Sequence, residues 1–289
     1  MKQALHKSTI PPSRIFVIKR LQQQHFDPIW HAHSEYQLFV VLKGTGTRFV
    51  GDSIKRFAPG ELVFTGPNLP HLWRSDDMFF KKKQTVKVEG IVIYFNEHFL
   101  GDHLMEKEEM TVIKKLFVKS LRGLEFHGPQ KLRVIELMET LASSEGIKSV
   151  LLLLQMLEIL AETKDYHYIS STAYTNKIDE HETNRINIVY DYVLKNFRRK
   201  ILLEELAEVL HMTPTSFSRY FTMKNNKSFS KFVSEIRIKH ACKLLTESEE
   251  SIGTICYDCG FNTLSNFNKQ FMDIMKKEPR QYKKEFMSL

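Results

Sequence analysis

Cysteine is what this 289-residue chain mostly lacks. The first 241 residues contain none, and the three present, Cys242, Cys256 and Cys259, cluster near the end. An odd, clustered set is not the disulfide framework of a secreted domain, so a reducing cytoplasm is the expected compartment. The same gap excludes a repair-type acceptor thiol from most of the chain. Long apolar runs are also missing. The longest, Val150 to Leu160, is broken by Gln155 and Glu158, whereas a membrane span needs about 20 apolar residues. That run reads as a buried or interface helix. The opening MKQALHKSTIPPSR has no apolar core and does not read as a signal peptide. Acidic residues are in deficit as well: 34 Asp and Glu against 42 Lys and Arg leave a net charge of +8, which points to a polyanionic partner. From Asn184 to Leu289 the balance is 18 basic to 12 acidic residues, so most of the excess lies in the last third.

What is present divides along the chain. The length suggests two domains, and the 42% hydrophobic share is enough for real cores. Residues from about 15 to 95 alternate like strands in IFVIKR, YQLFVVL, GTRFV, ELVFT and VKVEGIVIYF, with Gly, Pro and Asp at the breaks. Short strands at this density predict a small sandwich or barrel. From about 110 to 162 the period becomes helical, and a polar stretch without apolar period follows. The expected layout is a two-domain α+β chain. A barrel occupies 1–110, a helical dimerisation segment 111–165, a linker 166–183, and an all-helical domain 184–289.

The last domain carries a repeated pattern. Ile186, Val189, Val193 and Phe197 form one apolar stripe, and Leu203, Leu206, Ala207 and Leu210 form another. Thr213-Pro214 then reads as a helix start, a hydroxyl cap followed by proline at the first helical position. With Phe217 and Phe221 inward, Thr215, Ser218 and Arg219 face out. A short helix, a tight turn and a capped helix with polar and basic residues outward suit reading of a DNA major groove. The pattern recurs: Phe267 and Phe271 lie 50 residues later, and Ser265, Asn268 and Lys269 match Thr215, Ser218 and Arg219. Cys256-x-x-Cys259 has no second pair and reads as small core residues rather than a metal or redox pair.

Residues 184–289 resemble the AraC/XylS family of bacterial regulators. The carrying blocks are LEELAEVLHMTPTSFSRYF, IRIKHACKLL, SIGTICYDCGFNTLSNFNKQF and KKEPRQYKK, in that order. The resemblance implies two helix-turn-helix units whose recognition helices enter successive major grooves, with base readers at Thr215, Ser218, Arg219, Leu264, Ser265 and Lys269. Leu264 departs in kind, because an apolar side chain reaches only a thymine methyl.

Near the N-terminus, His31-Ala-His33 puts two imidazoles on one side of a strand, with Gln37 in the same parity. His71 follows in GPNLPH. These side chains could converge as metal ligands, line a ligand pocket, or be hydrogen-bonded core histidines. The segment resembles the cupin superfamily, whose barrels precede DNA-binding domains in many AraC-type regulators. Gln37 stands where cupins place glutamate, and a neutral amide is a poor ligand for hard cations, so no metal is assigned. The expected ligand contacts are His31, His33, Gln37, Arg48, His71 and Trp73.

The functional expectation is a cytoplasmic, one-component transcription activator that is not an enzyme. Its expected partners are a double-stranded DNA operator, a small-molecule effector such as a sugar or related metabolite, a second copy of the chain as a homodimer, and RNA polymerase. Neither a cofactor nor a membrane is expected. The competing expectation is a metal-dependent cupin enzyme fused to a DNA-binding module.

Overall fold

The computed structural model describes residues 10–80, 86–174 and 180–287. The chain forms two compact units, Met1–Glu180 and His181–Leu289.

The first unit is built on strands β1 (Phe16–Gln23), β2 (Tyr36–Lys43), β3 (Gly46–Val50), β4 (Ser53–Phe57), β5 (Leu62–Thr65), β6 (His71–Ser75) and β7 (Val88–Phe95). Helices α1 (Asp102–Met105) and α2 (Thr111–Ser120) follow. After them come β8 (Leu124–Phe126), α3 (Gly128–Leu141), α4 (Gly146–Glu162) and β9 (Tyr166–Tyr168). A six-stranded sheet runs β1-β7-β2-β5-β8-β9, and a three-stranded sheet runs β4-β3-β6. The period-two rule explains why YQLFVVL is apolar almost without interruption. Tyr36, Leu38 and Val40 face one side of the large sheet and pack with Phe117, Met138 and Leu157 from α2, α3 and α4. Phe39 and Val41 face the other side, where they meet Val50, Phe57 and Trp73 of the small sheet. The large sheet is therefore a middle layer, buried on both faces.

The structure moves two expected boundaries. The sheet does not end by residue 110, because β8 pairs with β5 and β9 pairs with β8. These strands have three residues each, too few to show an alternation. Nor does the polar stretch 166–183 start as a linker. Beyond β9, the Ser171 backbone N–H and hydroxyl donate to the Asp52 carboxylate at 3.0 and 2.6 Å, and Arg122 donates to the Ser170 carbonyl. The polarity that suggested a linker is used in anchoring residues 166–171 to the first unit. Among the described residues, no helix is long and apolar enough to cross a membrane.

The second unit is helical: α5 (Glu180–Asn196), α6 (Leu203–Val209), α7 (Pro214–Asn225), α8 (Phe229–Glu247), α9 (Ile252–Asp258), α10 (Leu264–Met275) and α11 (Pro279–Met287). Phe217, Phe221, Phe229 and Phe232 pack ring against ring between α7 and α8. Ile238, Cys242, Cys256, Phe267 and Phe271 form a second core, between α8, α9 and α10. Long α8 contributes to both. Arg237, midway along it, donates to the carbonyls of Phe197 and Arg199 at 2.7 Å each and so closes the C-terminal end of α5.

Candidate functional site

Helices α6 and α7 and helices α9 and α10 are two copies of one device. Helix α6 ends with the Met212 N–H donating to Ala207 and the His211 N–H to Glu208. Helix α9 ends with the Phe261 N–H donating to Cys256 and the Gly260 N–H to Tyr257. Both ends are the same left-handed stop, with His211 at φ +54 and Gly260 at φ +83. One extra residue, Asn262, lies in the second turn. Then Thr213 caps α7 by accepting from the Ser216 N–H at 3.2 Å, and Thr263 caps α10 by accepting from Asn266 at 3.3 Å. Both helices run 12 residues and both stop at a left-handed residue, Asn226 or Lys276.

Phe217 and Phe267, with Phe221 and Phe271, are fully buried. On the opposite faces Thr215, Arg219, Leu264, Ser265, Asn268 and Lys269 are exposed, and Ser218 is half-buried. The structure thus brings the sequence-derived candidates onto the outward faces of two equivalent helices. The three cysteines are buried and none is in a disulfide. Burial pushes the Cys259 thiol up to about 12 and raises that of Cys256, so they are packed thiols at neutral pH rather than nucleophiles or ligands.

The first unit holds a cavity of about 320 Å3 between its sheets, lined by Lys19, Phe26, Asp27, His31, Gln37, Phe39, His71, Trp73 and Tyr94 among others. Four of the six sequence-derived candidates, His31, Gln37, His71 and Trp73, line it. Residues His31 and His71 are joined by two backbone hydrogen bonds, which bring the loop before β2 against the start of β6. In each imidazole Nδ1 faces a backbone carbonyl: Ile29 for His31 at 2.8 Å, Glu35 for His33 at 3.0 Å, and Leu69 for His71 at 2.7 Å. A carbonyl only accepts, so these Nδ1 atoms carry the protons, and in the neutral form of each ring the lone pair lies on Nε2. Gln37 Oε1 lies 3.1 Å from His33 Nε2 and 3.2 Å from His71 Nε2. The two ends of an amide are distinguished by their partners. Two lone pairs call for the NH2 end, whose two N–H groups serve both rings.

The three histidines bring one ring nitrogen each within 4.8 Å of one another. With their Nδ1 atoms held by carbonyls they have the arrangement of imidazole ligands, and they are the residues that could hold a transition metal. Tyr94 supplies a phenol that stays protonated, because burial and then the Glu35 charge raise it. Phe26, Lys19, Asp27 and Tyr94 were not singled out from the sequence. Tyr94 had a signal, since it shares the inward parity of IVIYF with Val92.

Arg48 and His33 are not among the lining residues. His33 lies behind Gln37, its ring 5.2 Å from that of Tyr94. Arg48 faces inward, paired in register with Trp73, but its guanidinium is held between Glu61 at 3.3 Å and Glu125 at 2.9 Å. Trp73 turns its indole N–H to Glu61 at 3.1 Å, which leaves only its ring for the cavity.

Comparison with known proteins matches residues 206–285 to a helix-turn-helix domain family and residues 17–78 to a cupin domain family. An uncharacterized HTH-type transcriptional regulator of Staphylococcus aureus strain MSSA476 is 29% identical over 117 residues, 40% of this chain and 16% of that protein. The HTH-type transcriptional regulator YdeC of Bacillus subtilis strain 168 is 28% identical over 103 residues, 36% of this chain and 35% of that protein. The chain thus spans less than two thirds of the length of either. The apo structure of ToxT from Vibrio cholerae aligns with 95% of this chain and 98% of its own, at 16% identity and a TM-score of 0.36. Each matched family falls within one of the two units, the cupin domain in the first and the helix-turn-helix domain in the second.

Proposed function

We propose that this chain is a cytoplasmic, sequence-specific DNA-binding transcription regulator, an activator that engages RNA polymerase and answers to a small molecule held in the cupin domain. One observation carries the reading: two capped helices with identical stops and buried phenylalanines present hydroxyl, amide and cationic side chains outward 50 residues apart. Thr215, Ser218, Arg219, Leu264, Ser265, Asn268 and Lys269 are the residues that face base edges in this reading. A charge excess concentrated in the same third of the chain supplies attraction to phosphate. The effector is a sugar or related metabolite. Aromatic walls from Phe39, Trp73 and Tyr94 cover its apolar face, and His31, His71, Gln37 and the Tyr94 hydroxyl meet its polar groups. Two copies of the chain act together on the operator.

An enzyme reading is not favoured. The relatives found are transcription regulators, and the fourth donor beside the three imidazoles is a neutral amide.

The test is binding of the full chain to duplexes selected from a random pool, repeated with a sugar and metabolite library. Arg219→Ala is expected to weaken the selected duplex by about 1–3 kcal/mol and to relax one base position. A library member is expected to shift the affinity of the wild type. Unchanged affinity and footprint for both Arg219→Ala and Lys269→Ala would overturn the assignment.

A further inference from the structure

The two recognition helices share cap, length, stop and buried face, so packing does not explain why their outward faces differ. Helix α7 shows Thr215, Arg219 and Met223 at steps of four, with Ser218 beside them, so the first two positions of the stripe are a hydroxyl and a cation. Helix α10 shows Leu264, Asn268 and Met272 at steps of four, with Ser265 and Lys269 beside them. Leu264 is 41% exposed and Met272 40% exposed. Single exposed apolar side chains are ordinary, but these two flank an exposed amide on one stripe of one helix. Leu264 is moreover the first helical residue after the Thr263 cap, the end from which a recognition helix reaches bases.

The chemistry of the groove fits that stripe to one kind of base pair. The thymine methyl is the apolar group that a base pair presents in the major groove, and the side-chain amide of asparagine matches N6 and N7 of adenine. A guanidinium matches O6 and N7 of guanine. Lys269 can reach a guanine edge or a phosphate, so the composition of the box is argued from Leu264 and Asn268. Resting on the DNA-reading function above, we propose that the operator is compositionally bipartite. Helix α7 reads a box containing a guanine under Arg219. Helix α10 reads an A·T-rich box, in which Leu264 packs on a thymine methyl and Asn268 pairs with an adenine.

The experiment starts from duplexes selected from a random pool by the full chain. In the box whose protection is lost in the Lys269→Ala variant, each thymine is replaced in turn by uracil, which removes only the methyl group. One such replacement is expected to weaken the wild type about fourfold, the worth of one buried methyl group at roughly 0.8 kcal/mol, and to leave Leu264→Ala unaffected. Asn268→Ala is expected to lose at least fivefold discrimination for one adenine, corresponding to about 1 kcal/mol. Both residues are exposed, and thermal unfolding of each variant verifies that the helical unit is intact. A G·C-rich second box, or uracil effects that are equal in wild type and Leu264→Ala, would overturn the inference while leaving sequence-specific binding in place. Recovery of no preferred duplex would overturn the DNA-reading function itself, and this inference with it.

Discussion

Arg48 sits between two carboxylates that the fold treats in opposite ways. Glu61 is more deeply buried, and desolvation outweighs the pull of Arg48, so its carboxyl is raised. Glu125 is also raised by burial, but Arg48 and Lys55 together outweigh that and hold it at about 2, below its ordinary 4.5. A carboxylate with a depressed folded value stabilises the protein above about pH 4.5, and the contribution is lost as pH falls toward about 2. Glu125→Gln is therefore expected to lower unfolding stability at pH 7 by about 3 kcal/mol, because it removes a charge that compensates a buried guanidinium. The gap from wild type should narrow as the pH is lowered from about 4.5 toward 2. Urea unfolding of both proteins at the two ends of that window measures it, and a constant gap would show that the charge is not responsible. Arg48 also marks the limit of what a single position reveals. Its strand parity was legible and correctly turned the side chain inward. Its partners come from β8, 77 residues away, and from the loop before β5, and no local pattern indicates which inward-facing arginine is consumed by carboxylates. His31, His33 and His71 were legible because two of them share one short motif and the third follows a proline turn.

At the scale of elements, the paired turns after α6 and α9 test whether the repeat is one structure used twice. At Gly260 an added Cβ would lie 2.6 Å from the Arg198 carbonyl oxygen, and the backbone is left-handed. At His211 the same left-handed position carries a side chain. Left-handed backbone costs a residue with a Cβ roughly 1–2 kcal/mol, while glycine gives back part of that through the entropy of the unfolded chain. Gly260→Ala is expected to destabilise the helical unit by more than 1 kcal/mol, and His211→Gly to stabilise it by about 0.5 kcal/mol. Thermal unfolding of the two variants checks the pair, and a destabilised His211→Gly would mean that the histidine side chain has its own role in the turn. The helices of this unit were legible because they have an apolar period and because four of them, α7 to α10, start at a hydroxyl cap. Strand β4 was not, since SIKRF alternates around Lys55 and Arg56 at a sheet edge, and neither were β8 and β9, whose three residues are fixed by partners rather than by their own pattern.

At the scale of the whole molecule, the leucines of α4 are accounted for in two parts. Leu153, Met156, Leu157 and Leu160 are buried against the large sheet and its neighbouring helices. They belong to the core of the first unit, so a substitution such as Leu157→Asp probes folding and not assembly. What remains is a stripe one turn apart: Ile147 is 74% exposed, Leu151 is 59% exposed and Leu154 is half-buried beside them, with Leu132 of α3 58% exposed. The apolar count along Val150 to Leu160 made the whole helix look in need of a partner, because a one-dimensional pattern does not say which face the sheet already covers. The apolar surface left exposed is narrower and lies toward the N-terminal half of α4. A two-fold pairing through this stripe would cover it and would place two helical units on one operator, raising the effective concentration of the second unit without a new base contact. The double variant Ile147→Asp, Leu151→Asp is expected to sediment as a monomer at tens of micromolar while the wild type sediments as a dimer. Its melting temperature should match that of the wild type, since neither residue belongs to the core. Its operator affinity should fall by an order of magnitude or more. A wild type that is monomeric at that concentration yet binds its operator tightly would show that the stripe serves some purpose other than pairing.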